Sequence, residues 1–324
     1  MIISTFAEAA AVTDRLIAIL AQNGVTPAMG ARVESELLSP LEVMELARRK
    51  RPQDLPVNLL AAAGGMYDLA AKIVAISQEP EFKSFKPHLE LFAKPALYTS
   101  ALQSAAGHPS DDAGRKLVEL YVGALAIHFA HDVTLDHPVS SAGDNPDVMC
   151  TTEEENGNRV RWAIAIKNIS SRVGQTIFDN VRRASEQINA ATCSADRGIV
   201  LLAARGSIDH ERLWAAPFPT VLAARDALSQ ELRGLAALAD KDRLQEDWEA
   251  AFVGKTSPLF LLTAQAVVRV ESESGPVPTI LKMALEHNPL ERPDPQALMF
   301  ARCLNEFMQT VVKGIPGSVG KFPE

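Results

Sequence analysis

The run Arg159-Val160-Arg161-Trp162-Ala163-Ile164-Ala165-Ile166-Lys167 alternates with the period of a strand. Val160, Trp162, Ile164 and Ile166 fall on one face, while Arg159, Arg161, Ala163, Ala165 and Lys167 fall on the other. The first face reads as core and the second as facing something charged. The turn residues Glu155-Asn156-Gly157-Asn158 precede this run, so Val148 to Thr152 is expected to pair with it as a hairpin. Asp147 opens the earlier strand, just after the breaker Asn145-Pro146. The hairpin therefore brings a carboxylate and a lysine, twenty positions apart, to one edge of a small sheet.

Elsewhere the apolar spacing is mainly helical. From Met1 to about Gly107 the chain reads as helix throughout, beginning with Ala7 to Leu20. Ser39-Pro40-Leu41-Glu42 has the form of a helix start, with a capping serine and proline at the first helical position. Leu59 to Ile76 is a further amphipathic segment, weakened at Gly64-Gly65, and Pro80, Pro87 and Pro95 punctuate a short helix and its connections. This part shows no catalytic constellation. It reads as a docking or oligomerisation module, a place for a protein partner or a second copy of the chain.

Gly107-His108-Pro109-Ser110-Asp111-Asp112 is the expected boundary. A helix is predicted from Ala113 to about Ala130, with Leu117, Tyr121, Ala124, Leu125 and His128 on its apolar stripe. Glu119 lies toward the other side, facing solvent or a cleft. Next come a helix from about Val173 to Ala191 and a strand over Gly198-Ile199-Val200-Leu201-Leu202. A long helical stretch, Pro219 to about Phe252, should cover one face of the sheet, and Pro258 to Val270 is a further strand. After a turn at Ser272 to Pro276, two helices are predicted, Thr279 to Glu286 and Pro295 to Val312, before a loose tail from Gly314 to Glu324. The expected division is a helical module (1–107), an α/β core of mixed sheet and covering helices (108–275), and C-terminal helices with the tail (276–324).

The hairpin and the helix after it resemble the PD-(D/E)XK nuclease superfamily, the restriction-endonuclease-like fold. Pro146-Asp147 stands in the place of the PD and Ala165-Ile166-Lys167 in the place of the (D/E)XK. Gln187 matches a polar residue that branches of the family carry on the following helix. Glu119 matches the acid that many members place on their first core helix. The likeness covers roughly Asp112 to Trp214, and it departs from the pattern where Ala165 replaces Asp or Glu. It implies phosphodiester hydrolysis with Mg²⁺ or Mn²⁺. Asp147 and Glu119 would be the metal ligands, Lys167 the positioning cation and Gln187 its neighbour. The missing acid has two possible replacements, Glu119 itself or a residue on the helix after the lysine, which offers Asp179 and Glu186; Asn180 and Gln187 lie on the flank of that helix. Asp179 and Glu186 share a face opposite the Ile177, Val181 and Ile188 stripe, which points them away from the cleft.

Composition adds bounds. A chain of 324 residues with 47% hydrophobic and 22% charged residues is an ordinary globular protein with room for a sizeable core. Met1 to Gln22 lacks a basic start and is interrupted by Glu8, Asp14 and Arg15, so no secretory signal is expected. No uninterrupted apolar run reaches a bilayer-spanning length, so no membrane partner is expected. Cys150, Cys193 and Cys303 are scattered and odd in number, which points to reduced thiols and a cytoplasmic location. A glycine-rich phosphate loop and a GxSxG nucleophile motif are both absent from the sequence.

The net charge of −8 argues against a nucleic-acid partner, but its distribution does not. Between Asn156 and Gly206 eight basic residues face three acidic ones, which leaves the rest of the chain at −13. Arg159, Arg161, Arg172 and Arg183 in this segment are the candidate contacts to nucleic acid, DNA before RNA. His128, His131 and His137 with Asp132 and Asp136 form a second candidate metal cluster, since histidines three apart share a helix face. It lacks the glutamate of an HExxH motif. Three functions are compatible with these residues: a metal-dependent nuclease, a degenerate relative that binds nucleic acid or a protein without cleavage, and an unrelated α/β hydrolase using the histidines.

Overall fold

A computed structural model describes residues 6–30, 32–51, 54–94, 112–139, 145–154, 157–204, 206–292 and 294–309. The expected boundary at 107–111, part of the 155–158 turn and the tail from 314 lie outside these residues. In chain order the elements are α1 (Phe6–Gln22), α2 (Arg32–Ala47), α3 (Val57–Ile76), the short α4 (Lys86–Leu89) and α5 (Asp112–Ala126). Then come β1 (His131–Leu135), β2 (Val148–Glu153), β3 (Arg159–Asn168), α6 (Gly174–Ile188) and β4 (Arg197–Ala203). The chain continues through α7 (His210–Ala215), α8 (Val221–Asp240), α9 (Gln245–Ala251), β5 (Thr256–Val270), β6 (Val277–His287) and α10 (Pro295–Gln309).

The six strands form one sheet in sequence order. β1, β2 and β3 are antiparallel, β3, β4 and β5 are parallel, and β6 is antiparallel to β5. The antiparallel neighbours are joined directly, whereas each parallel step needs a helical crossover: α6 between β3 and β4, and α7 to α9 between β4 and β5.

Period-two alternation sends neighbouring residues of the central strands into two different cores. Ile164, Ile166, Ile199 and Leu201 join the core built with α1, α2, α3, α5 and α10. Ala163, Ala165, Val200 and Leu202 join the core built with α6, α8 and α9. The expectation that the second face of β3 meets something charged is thus corrected. Ala163 and Ala165 are fully buried against helices, and charge is left only near the strand ends. Residues of α1 to α3 share their apolar cluster with the sheet.

Four local readings change. The segment expected as the helix Thr279 to Glu286 is strand β6, paired along its length with β5. Leu281 enters one core and Ala284 the other, so a spacing of three that mimics a helix face comes from a strand buried on both sides. The stretch from Pro219 to Phe252 is broken between α8 and α9 at 241–244. Ser39-Pro40 lies inside α2 and does not start it. Proline removes the N–H that would bond the carbonyl of Glu36, and Ser39 Oγ donates to that carbonyl at 2.6 Å instead. Finally, α5 ends at Ala126 and His131 belongs to β1, so His128 and His131 do not share a helix face. His128 stacks on Phe307, with ring centroids 5.0 Å apart.

At Gly64 a Cβ would fall 1.9 Å from Ile280 Cδ1 of β6. What reads in sequence as a weak point of α3 is where a strand presses against the helix. α3 is long and apolar enough to cross a bilayer, and 72% of its apolar window is buried inside the protein.

Candidate functional site

The strand β2 begins at Val148, and just before it the chain bends. At that bend the Asp147 N–H still reaches the carbonyl of Ile164 at 3.1 Å, and its own carbonyl accepts from the Asp136 N–H at 2.9 Å. Its carboxylate turns onto β3, where Oδ2 accepts from the Ile166 N–H at 2.6 Å. The side chain thereby takes a backbone donor that ladder pairing would otherwise use.

Glu119 comes from the middle of α5 and is only 5% exposed. Of the two expectations, solvent or a cleft, the first is corrected by this burial: its Oε2 lies 3.1 Å from His88 Nε2, and its Oε1 lies 2.6 Å from Lys116 Nζ. Lys116 also approaches Asp147 Oδ1 at 3.9 Å, so one ammonium stands between two buried carboxylates. On the far side of Asp147, Lys167 sits near the end of β3 and donates to Gln187 Oε1 in the last turn of α6. α6 is held there by Ile177, Val181 and Ile188, which bury in the same core as Ala165.

The electrostatics follow from burial. Asp147 is 7% exposed. Its carboxyl is pushed up to about 7, first by loss of water and then by the Glu119 charge, with the Ile166 N–H, Lys167 and Lys116 pulling against them. Burial also raises Glu119, opposed chiefly by Lys116. His88 is pushed down to about 4, first by burial and then by Lys116, so its ring is neutral at ordinary pH. The charge of Asp136 acts on both His88 and Glu119, and its Oδ2 is buried without a hydrogen-bond partner.

Asp147 lies beside Glu119 and Lys116 under α5, at the end of the inner strands β2 and β3; the Lys167 charge also acts on Asp147, but Lys167 itself joins Gln187 of α6 on the other face of the sheet. The structure does not bring the arginines there as a group. Arg159 and Arg161 lie toward the other end of β3, about 20 to 26 Å from Lys167 along the strand. Arg159 pairs with Asp132 at 3.0 Å, and the backbone N–H of Arg161 donates to Asp196. Arg172 lies beyond the end of β3 and pairs with the buried Glu231 at 2.8 Å, while Arg183 is on the exposed face of α6. Asp179 and Glu186 both approach Arg182, at 3.8 and 3.1 Å, on the side of α6 away from its buried stripe.

Two residues of the cluster escape sequence reasoning. Lys116 was legible in principle, because it lies three positions before Glu119 on one helix. His88 comes from α4, in a segment with no pattern pointing to the sheet.

Among the described residues no three His, Cys, Asp or Glu side chains form a group that could hold a metal ion, and the expected histidine cluster is not assembled. The donors that do converge are hard carboxylate oxygens of Glu119 and Asp147, with the unpartnered oxygen of Asp136 nearby. One or two carboxylates with water and phosphate oxygens suit magnesium. The donor chemistry therefore fits that ion, while Lys116 now lies between the two carboxylates.

These features define a mixed α+β protein with a six-stranded mixed sheet flanked by helices, carrying a buried carboxylate–lysine cluster at the end of its inner strands β2 and β3. No family model, curated protein or solved structure matches the chain.

Proposed function

We propose that this is a nuclease-like protein of the restriction-endonuclease-like fold, acting on phosphodiester bonds of DNA or RNA with Mg²⁺ or Mn²⁺. One observation carries the reading: Asp147, just before β2 at the end of two inner strands, lies beside Glu119 of α5 and feels the charge of Lys167, which Gln187 of α6 engages. The order α5-β1-β2-β3-α6-β4, three antiparallel strands followed by a crossover to a parallel one, supports it further.

In this reading Asp147 and Glu119 hold the ion, which supplies Lewis-acid polarisation of a phosphoryl oxygen and a more acidic water. Asp147 is fixed for that task by its bond from the Ile166 N–H. Gln187 holds the Lys167 ammonium near the end of β3, where it would orient the attacking water or neutralise charge developing on the phosphate. Nuclease activity is tested by incubating purified protein with plasmid or single-stranded DNA and Mg²⁺ or Mn²⁺. Cleavage is expected from the wild type and its loss, by about a hundredfold or more, from Lys167→Ala. Cleavage that survives in Lys167→Ala sinks the assignment.

A second reading, a degenerate nuclease fold that binds nucleic acid or a protein without cutting, is favoured by Ala165. The position where the family carries an acid is a fully buried methyl group packed toward α6. Binding that weakens steeply with salt, without cleavage under any metal, is its signature.

A further inference from the structure

Lys116 Nζ lies 2.6 Å from Glu119 Oε1 and 3.9 Å from Asp147 Oδ1, so its positive charge is where a cation shared by those carboxylates would be. The two carboxylates are sequestered, with side chains 6% and 10% exposed, whereas the lysine side chain is 24% exposed. Lys116 can therefore turn toward solvent about its own flexible stem, while Glu119 and Asp147 cannot. Of the other basic side chains nearby, Lys167 acts on Asp147 while donating to Gln187, and His88, neutral in the fold, borders the opposite oxygen of Glu119. With Ala165 in place of an acid, two carboxyl groups and one ammonium share the position.

We infer that the Lys116 ammonium holds the position of the divalent cation between Glu119 and Asp147, and that it must swing out before a metal ion enters. This lysine is then a competitor built into the site and sets its metal affinity. The inference rests on the metal-binding part of the proposed function, not on cleavage. An ammonium in that place keeps the buried carboxylates compensated when no metal is bound. A divalent ion gains entry by displacing one charge with two.

The test is Mn²⁺ binding to the full chain, followed by the electron paramagnetic resonance signal of free Mn²⁺ and by calorimetry. Lys116→Met and Lys116→Gln are expected to bind Mn²⁺ at least about tenfold more tightly than wild type, because no ammonium has to be displaced from the carboxylates before the ion enters. Adding Glu119→Gln to either variant is expected to abolish the gain. If Lys116→Met does not fold, Lys116→Gln carries the test, since its amide still donates to Glu119. Unchanged or weaker Mn²⁺ binding in the folded variant overturns the inference, as does a gain that survives Glu119→Gln. Absence of Mn²⁺ binding in all the proteins overturns it too. A gain in affinity without any cleavage supports the inference while removing the nuclease reading. Metal-dependent cleavage with unchanged Mn²⁺ affinity in Lys116→Met removes the inference alone.

Discussion

Asp147 keeps its carboxyl proton up to about pH 7 because water is excluded and Glu119 lies close by. In the unfolded chain the same group ionises in the ordinary carboxylate range. Between about pH 4 and 7 the folded state therefore binds more protons at this site, so its contribution to stability is full at low pH and is lost as pH rises toward 7. His88 runs the other way: its proton is refused in the fold down to about pH 4, so acid destabilises through it. Comparing wild type with Asp147→Asn cancels the His88 effect to first order, because both proteins contain it. Chemical denaturation from pH 4.5 to 8 should show Asp147→Asn gaining on wild type by roughly 2–4 kcal/mol. A difference that stays flat with pH would mean Asp147 ionises normally in the fold. Lys167 and Gln187 were singled out in the sequence by the family resemblance, and periodicity fixed only the strand and helix that carry them. That Lys116 lies between two carboxylates was not legible there, because periodicity gives a residue's face and says nothing of what another chain segment brings to it.

Among the elements, α6 is decisive, since its last turn carries the partner of Lys167. Its first residue, Gly174, sits so close to α8 that a Cβ there would lie 1.9 Å from the carbonyl oxygen of Leu238. That neighbour is backbone, so it cannot rotate away as a side chain would. Gly174→Ala should lower stability by about 1–3 kcal/mol through overpacking and tilt α6 away from α8. Thermal melting measures the loss; unchanged melting would show that the two helices have room to separate at no cost. The sequence predicted this helix and its sheet-facing stripe, and left only the close contact with α8 open. Val181 and Ile188 lie on one apolar face, but a glycine at a helix start reads equally as a capping or a packing residue. β6 is the converse case. Leu281 and Ala284 are three apart as on a helix, yet pairing with the long β5 makes the segment a strand. Propensity yielded because the edge of β5 offered a full ladder of hydrogen bonds.

The whole molecule is held together across its layers by a buried polar network that no local pattern foretells. Asp68 of α3 accepts from Tyr121 of α5 at 2.7 Å and from Lys282 of β6 at 2.6 Å. Lys72, a turn later on α3, donates to the carbonyl of Phe307 near the end of α10. Burial pushes that lysine down to about 8, although Asp68 pulls it up. One carboxylate thus ties the N-terminal helices to α5 and the far edge of the sheet. Asp68→Ala leaves Lys282 and Tyr121 without their acceptor and two lysines facing each other, and should cost about 3–5 kcal/mol in urea unfolding. A cost below about 1 kcal/mol would show that the layers are held by apolar packing alone.

What the sequence determined by itself was the alternation that makes β3, the order of helix, hairpin and crossover helix around it, and the hairpin that sets Asp147 against β3. These are properties of short spans, set by backbone geometry and side-chain periodicity. The tertiary structure alone decided that both faces of β3 are buried, that β6 is a strand, and that His88 and Lys116 complete the site. Each of those depends on which distant segment supplies the neighbouring surface. A covered face looks the same in sequence as an open one when its residues are alanines.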